Sequence, residues 1–113
     1  EFVKMKRDND ILVRVIVKKQ AGHFVYLSHR NTRTDFPVLT VAVSDCGGMK
    51  KAVIGARPGI AKMYEIETMD EETAARLQEE TCFQSNMRAS ETFRRHLAGV
   101  LLRRAFGAVQ GKE

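Results

Sequence analysis

Several short segments in the first half of the chain are rich in apolar and β-branched residues, which in part alternate with polar ones, a pattern typical of β-strands. These segments are Ile11–Lys18, His23–Ser28, Phe36–Ser44, Met49–Ala56 and Ile60–Glu67. The links between them are short, which suits antiparallel hairpins, because parallel strands need long crossover connections. The pattern therefore predicts an antiparallel sheet of four to five strands.

The second half of the chain has the 3.6-residue apolar spacing of helices. Thr68-x-x-Glu71 has the form of a capping box and predicts a helix through about Glu80. A longer helix is predicted within the segment from Ser85 to Phe106, with Ser90 as its N-cap. Its predicted apolar face consists of Phe93, Leu97, Val100, Leu101, Ala105 and Ala108. Strands followed by helices predict an α+β fold in which both helices pack on one face of the sheet.

The long helix also carries apolar residues outside that predicted face. Leu102, Phe106 and Val109 form a second apolar stripe, for which a small isolated domain has little use. We therefore expect Leu102 and Phe106 to contact another domain. Arg104 falls inside the predicted face, so we expect it to pair with a partner or to extend to solvent.

Composition and charge limit the class of protein. The 113 residues carry a net charge of +5, but the segment 64–81 has seven Asp/Glu against one Lys/Arg. Such an acidic middle is unusual for a nucleic-acid-binding protein, and no apolar run approaches the length of a membrane span. We interpret Cys46 and Cys82 as reduced thiols of a cytoplasmic protein rather than a disulfide or a metal site. Cys46 lies in Asp45-Cys46-Gly47-Gly48, which predicts a tight β-turn.

The loop that runs from Tyr26 to Asp35 contains most of the candidate chemistry. It is rich in polar and basic side chains, namely Ser28, His29, Arg30, Asn31 and Arg33. One interpretation is an anion or cofactor contact, since arginine suits phosphate or a flavin carbonyl. The other is a solvated hairpin loop in which Asp35 caps a turn. The sequence shows no paired carboxylates, Cys/His dyad or metal-ligand spacing, so we predict no catalytic and no metal-binding residues.

The closing helix carries a family resemblance. Its motifs are Met87-Arg88-Ala89-Ser90, Phe93-Arg94-Arg95-His96-Leu97 and Leu102-Arg103-Arg104-Ala105. In this order they resemble the C-terminal domain of the FAD-binding (medium) subunit of molybdenum hydroxylases, the family of xanthine dehydrogenases and aerobic carbon monoxide dehydrogenases. The Ile11–Val17 segment, the Tyr26–Asp35 loop and the strand end at Val53–Pro58 fit the same family. The resemblance implies an antiparallel sheet packed on helices.

The resemblance also implies cofactors and partners. In such an enzyme, electrons pass from a molybdenum cofactor through 2Fe-2S clusters to FAD and then to an acceptor. The implied partners are the N-terminal FAD-binding domain of the same subunit and the iron–sulfur and molybdenum subunits. The Gly-rich loops that bind the FAD pyrophosphate in the family are absent here. We therefore expect residues 1–113 to be a single domain detached from a larger subunit, which neither holds FAD nor catalyses a reaction alone.

Four residues are implied to lie near the FAD of the intact subunit. By position, Tyr26 matches an aromatic residue of the family loop, Arg30 matches an arginine and Asp35 matches an aspartate. Leu27 stands where many members carry a lysine, which is a departure from the family pattern. The loss of this lysine puts a flavin contact from position 27 in question, together with the kind of electron acceptor that the family pattern implies.

Two other functions remain open from the residues alone. The first is a small basic nucleic-acid-binding module, which would use the basic first half of the chain together with Arg94, Arg95, Arg103 and Arg104. Against this function, only 7% of the residues are aromatic, and no pair of aromatic residues that could stack on bases lies on a strand. The second is a purely structural interaction domain in a degenerate subunit, which Leu27 favours.

Overall fold

The computed structural model describes residues 9–111; positions 1–8 and 112–113 of the predicted domain lie outside them. The elements in chain order are β1 (His23–Arg30), β2 (Pro37–Cys46), β3 (Met49–Gly55), β4 (Lys62–Ile66), α1 (Glu71–Glu80) and α2 (Glu91–Val109). The strands form one sheet in the order β1-β2-β3-β4, and every pair is antiparallel. The predicted α+β fold is confirmed. Neither helix within residues 9–111 has the length and apolar character needed to cross a membrane.

The turn between β2 and β3 is the predicted one. Gly47 and Gly48 connect the strands with φ angles of 59° and 90°. Glycine adopts positive φ without a steric penalty, and a two-residue hairpin needs it at both positions. The side chain of Asp45 accepts a hydrogen bond from the Gly48 N–H at 3.3 Å. This turn sets Cys46 opposite Met49 and so fixes the register of the two strands.

One face of the sheet, here called the inner face, packs against the helices and forms the core. The buried inner-face residues of the central strands are Leu39, Val41, Val43, Ala52 and Ile54. β1 lies at the edge of the sheet and contributes only the half-buried Val25 and Leu27 to this face. Because α2 packs across β2 and β1 and also against α1, it is the element that joins the two layers.

Helix α2 begins after Ser90, whose hydroxyl accepts a hydrogen bond from the Phe93 N–H at 3.1 Å, as predicted. Its buried face is rotated from the predicted one, since Phe93 and Ala108 are exposed. The buried residues are Arg94, Leu97, Ala98, Gly99, Leu101, Leu102, Ala105, Phe106 and Val109. The prediction failed because Arg94 occupies a core position, and a pattern of apolar residue types does not include arginine.

Leu102 and Phe106 lie in the core of this domain rather than at a contact with another one. Their side chains are only 0% and 3% exposed, so the prediction that they contact another domain is wrong. α2 packs against both the sheet and α1, and a helix covered on two sides buries a wider apolar stripe than one covered on a single side. Arg104 is exposed, consistent with the expectation that it extends to solvent.

The predicted first strand, Ile11–Lys18, is not a strand in the structure. Its apolar side chains are between 52% and 86% exposed, and it joins none of the ladders of the sheet. β-branched residues favour an extended backbone, but a strand also needs a partner to pair with. Within residues 9–111 this segment has none, so the prediction is wrong for this domain.

Helix α1 begins later than its predicted capping box. The N-cap is Asp70, whose Oδ1 accepts a hydrogen bond from the Thr73 N–H at 2.8 Å. Thr68, the predicted cap, donates its hydroxyl to Asp70 Oδ2 at 3.1 Å. Both Thr and Asp are good N-caps, and here the threonine holds the aspartate that caps the helix.

Arg94 carries a charge but is only 1% exposed. Its Nε donates to the backbone oxygen of Val38 at 2.9 Å, and its Nη1 donates to the backbone oxygens of Gln84 and Ala89 at 2.7 and 2.8 Å. Its Nη2 donates to the side-chain oxygen of Asn86 at 2.7 Å. These four acceptors replace the water molecules that would hydrate an exposed guanidinium. Their hydrogen bonds join α2 to β2 and to the linker before α2.

Burial, and to a smaller extent the nearby Arg88, lowers the pKa of Arg94. A guanidinium nevertheless remains protonated in proteins. The domain therefore keeps a positive charge in its core that is satisfied by carbonyl oxygens. This arrangement depends on hydrogen bonds, because removing the cation would leave buried acceptors without donors.

Replacing this buried cation is expected to destabilise the domain strongly. We expect Arg94→Met to lower the free energy of unfolding by about 3 kcal/mol or more, because the backbone oxygens of Val38 and Gln84 lose the Arg94 donor and the backbone oxygen of Ala89 keeps only the Asn86 N–H. Arg104→Met, on the exposed side of the same helix, should change it by less than about 0.5 kcal/mol. Urea unfolding followed by circular dichroism measures both. Equal effects for the two variants would show that the Arg94 hydrogen bonds are not important for stability.

A second expectation concerns Ala56, which has a φ of 56°. This left-handed conformation costs an L-residue about 1–2 kcal/mol, so Ala56→Gly should raise the free energy of unfolding by about 0.5–1 kcal/mol. The exposed Ala61 lies in the same β3–β4 connection and is the matched control. Ala61→Gly should lower stability by about 0.5 kcal/mol, because glycine only adds entropy to the unfolded chain there. Thermal unfolding measures both variants. A lower Tm for both would refute the explanation that the left-handed conformation of Ala56 costs stability.

Candidate functional site

Arg88 holds the loop between β1 and β2 against the linker that precedes α2. Its Nε and Nη2 donate to Asp35 Oδ1 at 3.1 and 2.9 Å. Its guanidinium lies 5.2 Å from the centre of the Phe36 ring, a cation–π distance. The Asn31 side-chain amide donates to the Arg88 backbone oxygen at 3.1 Å. We call these four residues the Arg88 clip.

One carboxylate oxygen of Asp35, Oδ1, accepts hydrogen bonds from both Arg88 and the Phe36 N–H. The hydrogen bond from Arg88, and after it the one from the Phe36 N–H at 2.7 Å, hold the pKa of Asp35 below its usual range. Arg30 Nη1 donates to the backbone oxygen of Asp35. Asp35 is therefore ionised at neutral pH, and its hydrogen bonds hold the shape of the loop. A carboxylate with a lowered pKa is poorly suited to accept a proton from a substrate.

The Arg88 clip is connected to the buried network of Arg94. The Asn86 side-chain oxygen accepts a hydrogen bond from the Arg88 N–H at 2.9 Å and another from Arg94 Nη2 at 2.7 Å. Asn86 also donates its own N–H to the Ala89 backbone oxygen at 3.0 Å. The loop at the surface is thus held through the linker by a group in the core.

The structure brings together only some of the four residues implied to lie near FAD. Arg30 and Asp35 are hydrogen-bonded at the end of β1, where the strand register shifts between His29 and Arg30. Tyr26 and Leu27 point to opposite faces of the sheet, because neighbouring residues alternate along a strand. Tyr26 is 62% exposed, whereas Leu27 packs against the core. The proximity of these four residues to FAD stays a prediction.

The surface around the Arg88 clip is both apolar and basic. Phe36 and Met87 are 73% and 91% exposed, and the basic side chains of Arg30 and Arg33 are exposed in the same loop. Such a surface can contact a flat, partly apolar molecule with hydrogen-bond acceptors at its edge. Within residues 9–111 there is no group of three or more His, Cys, Asp or Glu side chains that could hold a metal ion.

The amino-acid sequence does not identify Arg88 as a partner of the loop. Asp35 and Arg88 are 53 positions apart, and no local pattern links residues at that distance. The only signal was the position of Arg88 directly before the N-cap region of α2, in one of the motifs that carry the family resemblance. That signal marks the residue but does not say which side chain it binds.

The arginines expected of a nucleic-acid-binding surface are mostly engaged within the domain. Arg94 is buried, and Arg95 Nη1 donates to the backbone oxygens that end α1, those of Gln78 and Glu79 at 2.8 and 3.0 Å. Arg103 forms an ion pair with Glu71 at 2.6 Å. These contacts use the cations that phosphate binding would require, so the geometry does not favour that function.

The sequence matches one protein-family model, that of the CO dehydrogenase flavoprotein C-terminal domain, over residues 26–109. The matched range extends from within β1 to the end of α2 and includes the whole Arg88 clip. None of the curated proteins matches this sequence.

A solved structure with a similar fold is quinoline 2-oxidoreductase from Pseudomonas putida 86. The TM-score is 0.62 and the sequence identity is 22%. The match covers 80% of this chain and 38% of that chain, so the chain spans well under half of the length of the protein it resembles. At this identity the likeness supports the fold alone.

The pH dependence of stability tests the ion pair of the Arg88 clip. The pKa of Asp35 is lowered in the folded state, so the pair stabilises the fold fully above the unfolded pKa of about 4, and this contribution is lost as the pH falls through the folded value. We expect the difference in Tm between the wild type and Asp35→Asn to be constant from about pH 7 to pH 5 and to shrink below about pH 4. Arg88→Met should reproduce this profile. A difference that does not change with pH would contradict the ion pair.

Proposed function

Because this chain belongs to the CO dehydrogenase flavoprotein C-terminal domain family, we propose that it forms one wall of the FAD site in a molybdenum hydroxylase. In this proposal it is the C-terminal domain of a larger flavin subunit. The subunit relays electrons from a molybdenum cofactor, through 2Fe-2S clusters in partner subunits, to FAD and then to an acceptor, as in xanthine dehydrogenases. FAD supplies the redox chemistry when bound, and this chain supplies position and electrostatics.

The single observation that carries the proposal is the surface at the Arg88 clip, because it lies inside the matched family range and suits a flavin ring. Phe36 and Met87 offer exposed apolar contact, and Arg30 can donate hydrogen bonds to acceptor atoms at the ring edge. Asp35 and Arg88 hold the loop that carries these groups. The proposed role of Asp35 is therefore to position the loop rather than to transfer a proton.

The two strand residues implied to lie near FAD take different roles in this proposal. Tyr26 is exposed and can contact the ring or the protein that surrounds it. Leu27 is half-buried and packs against the core, so in this proposal it contributes no polar contact to the flavin. Where many members of the family carry a lysine, this chain has a half-buried apolar residue, and the flavin environment would lack a positive charge at that position.

The remaining binding groups must come from outside this chain. The sequence contains no Gly-rich loop followed by a helix of the kind that binds a pyrophosphate. We propose that the N-terminal FAD-binding domain of the same subunit supplies it, that the iron–sulfur and molybdenum subunits complete the enzyme, and that the enzyme is cytoplasmic. The chain alone is not expected to retain FAD.

The test is the FAD content of the longer polypeptide that contains this chain, purified with its partner subunits, beside the chain alone. We expect flavin absorption in the polypeptide and none in the isolated chain. Arg30→Met should raise the FAD dissociation constant roughly tenfold, the equivalent of one lost charge-assisted hydrogen bond. Arg76→Met, at an exposed position on α1, is the matched control and should leave it unchanged. A polypeptide that lacks flavin even with its partners present would contradict the proposal.

A further inference from the structure

The linker before α2 contains a tight turn whose shape depends on Asn86. The Asn86 side-chain oxygen accepts a hydrogen bond from the Arg88 N–H at 2.9 Å, which is the Asx-turn arrangement of an asparagine that binds the backbone two residues further on. The Asn86 N–H donates to the Ala89 backbone oxygen at 3.0 Å. These two hydrogen bonds close residues 86–89 into a turn, and Met87 lies on its outside, 91% exposed.

The same side-chain oxygen also binds a group in the core. Arg94 Nη2 donates to it at 2.7 Å, although Asn86 itself is exposed. Arg94 has three further acceptors, the backbone oxygens of Val38, Gln84 and Ala89, so its charge would stay largely satisfied without Asn86. The contact therefore contributes more to the position of the turn than to the burial of the cation.

Electrostatic repulsion opposes the position that Arg88 occupies. Arg88 adds to the lowering of the pKa of Arg94, so the two guanidinium groups lie close enough to repel each other. Asn86 binds the backbone of Arg88 and the side chain of Arg94 through one neutral oxygen. From the other side, the Asn31 amide donates to the Arg88 backbone oxygen at 3.1 Å. The two asparagines thus hold the Arg88 backbone where its side chain reaches Asp35.

We propose that Asn86 is a positioning residue of the candidate flavin surface: it places the Arg88 backbone so that the Arg88 guanidinium binds Asp35 and fixes the β1–β2 loop. Asn86 does not contact the ligand. It acts through Arg88 on the loop that carries Arg30, and through the turn on Met87. The proposal rests on the proposed function for the identity of the ligand, whereas the effect on the loop exists without FAD.

The pH dependence of the Asp35–Arg88 ion pair tests the proposal, because it separates the position of Arg88 from the general stability of the domain. The measurement is the difference in Tm caused by Asp35→Asn, in the wild-type and in the Asn86→Ala background. The pKa of Asp35 is lowered in the folded state, so the pair contributes fully above about pH 4 and less as the pH falls further. We expect the difference at neutral pH to fall to about half or less in the Asn86→Ala background, with a smaller change towards low pH.

Gln84→Ala is the matched control, since Gln84 lies in the same exposed linker and binds Arg94 only through its backbone oxygen. This background should keep the full difference. Circular dichroism verifies that Asn86→Ala folds, as expected for a variant that retains the other three acceptors of Arg94. A difference that stays at its wild-type value at every pH overturns the proposal. Loss of folding also overturns it, because Asn86 would then act on the whole domain.

The dissociation constant of FAD in the longer polypeptide, purified with its partner subunits, tests the link to the flavin. We expect Asn86→Ala to raise it about fivefold or more. Asn86→Asp should return it to within about twofold of the wild-type value, because a carboxylate oxygen accepts the same hydrogen bonds. Gln84→Ala should leave it unchanged.

The outcomes distinguish this proposal from the proposed function. A longer polypeptide that binds FAD with the same dissociation constant after Asn86→Ala overturns the assignment of Asn86 to the flavin surface, while the bound FAD upholds the proposed function. A reduced Tm difference in the chain, together with a longer polypeptide that binds no FAD, supports the positioning of the loop and contradicts the flavin function.

Discussion

The buried guanidinium of Arg94 is the constraint on which the rest of this domain depends. It is 1% exposed and donates to three backbone oxygens and one side-chain oxygen, drawn from β2 and from the linker between the helices. A charge in a core is tolerated only when its hydrogen-bonding capacity is filled. Satisfying it therefore fixes the rotation of α2 about its axis, the path of the linker and the distance between helix and sheet.

The same contacts reach the surface loop that we propose to face the flavin. Asn86 binds both Arg94 and the backbone of Arg88, and Arg88 in turn binds Asp35 in the β1–β2 loop. Loops near a functional site need support if they are to hold a cofactor in one position. Here the support runs from a core charge to an exposed ion pair through hydrogen bonds, which explains how a polar, mostly exposed loop can take a defined shape.

The sequence predicted those features that depend on local chemistry. The Gly47-Gly48 turn, the Ser90 cap and the order of strands and helices were correct because each depends on residues close together in the chain. The orientation of α2, the burial of Leu102 and Phe106, and the pairing of Asp35 with Arg88 depend on residues far apart. The Ile11–Lys18 prediction failed for a related reason, since apolar spacing indicates that a segment can be a strand but does not say where its partner is.

The most direct test of the central claim is a crystal structure of the longer polypeptide with FAD bound. The measurement is the distance from the flavin ring to the β1–β2 loop. We expect the ring to lie against this loop, within hydrogen-bond distance of Arg30 and on the exposed side of Tyr26, with the Asp35–Arg88 ion pair intact. A flavin surrounded entirely by other segments, with this loop in solvent, would contradict it.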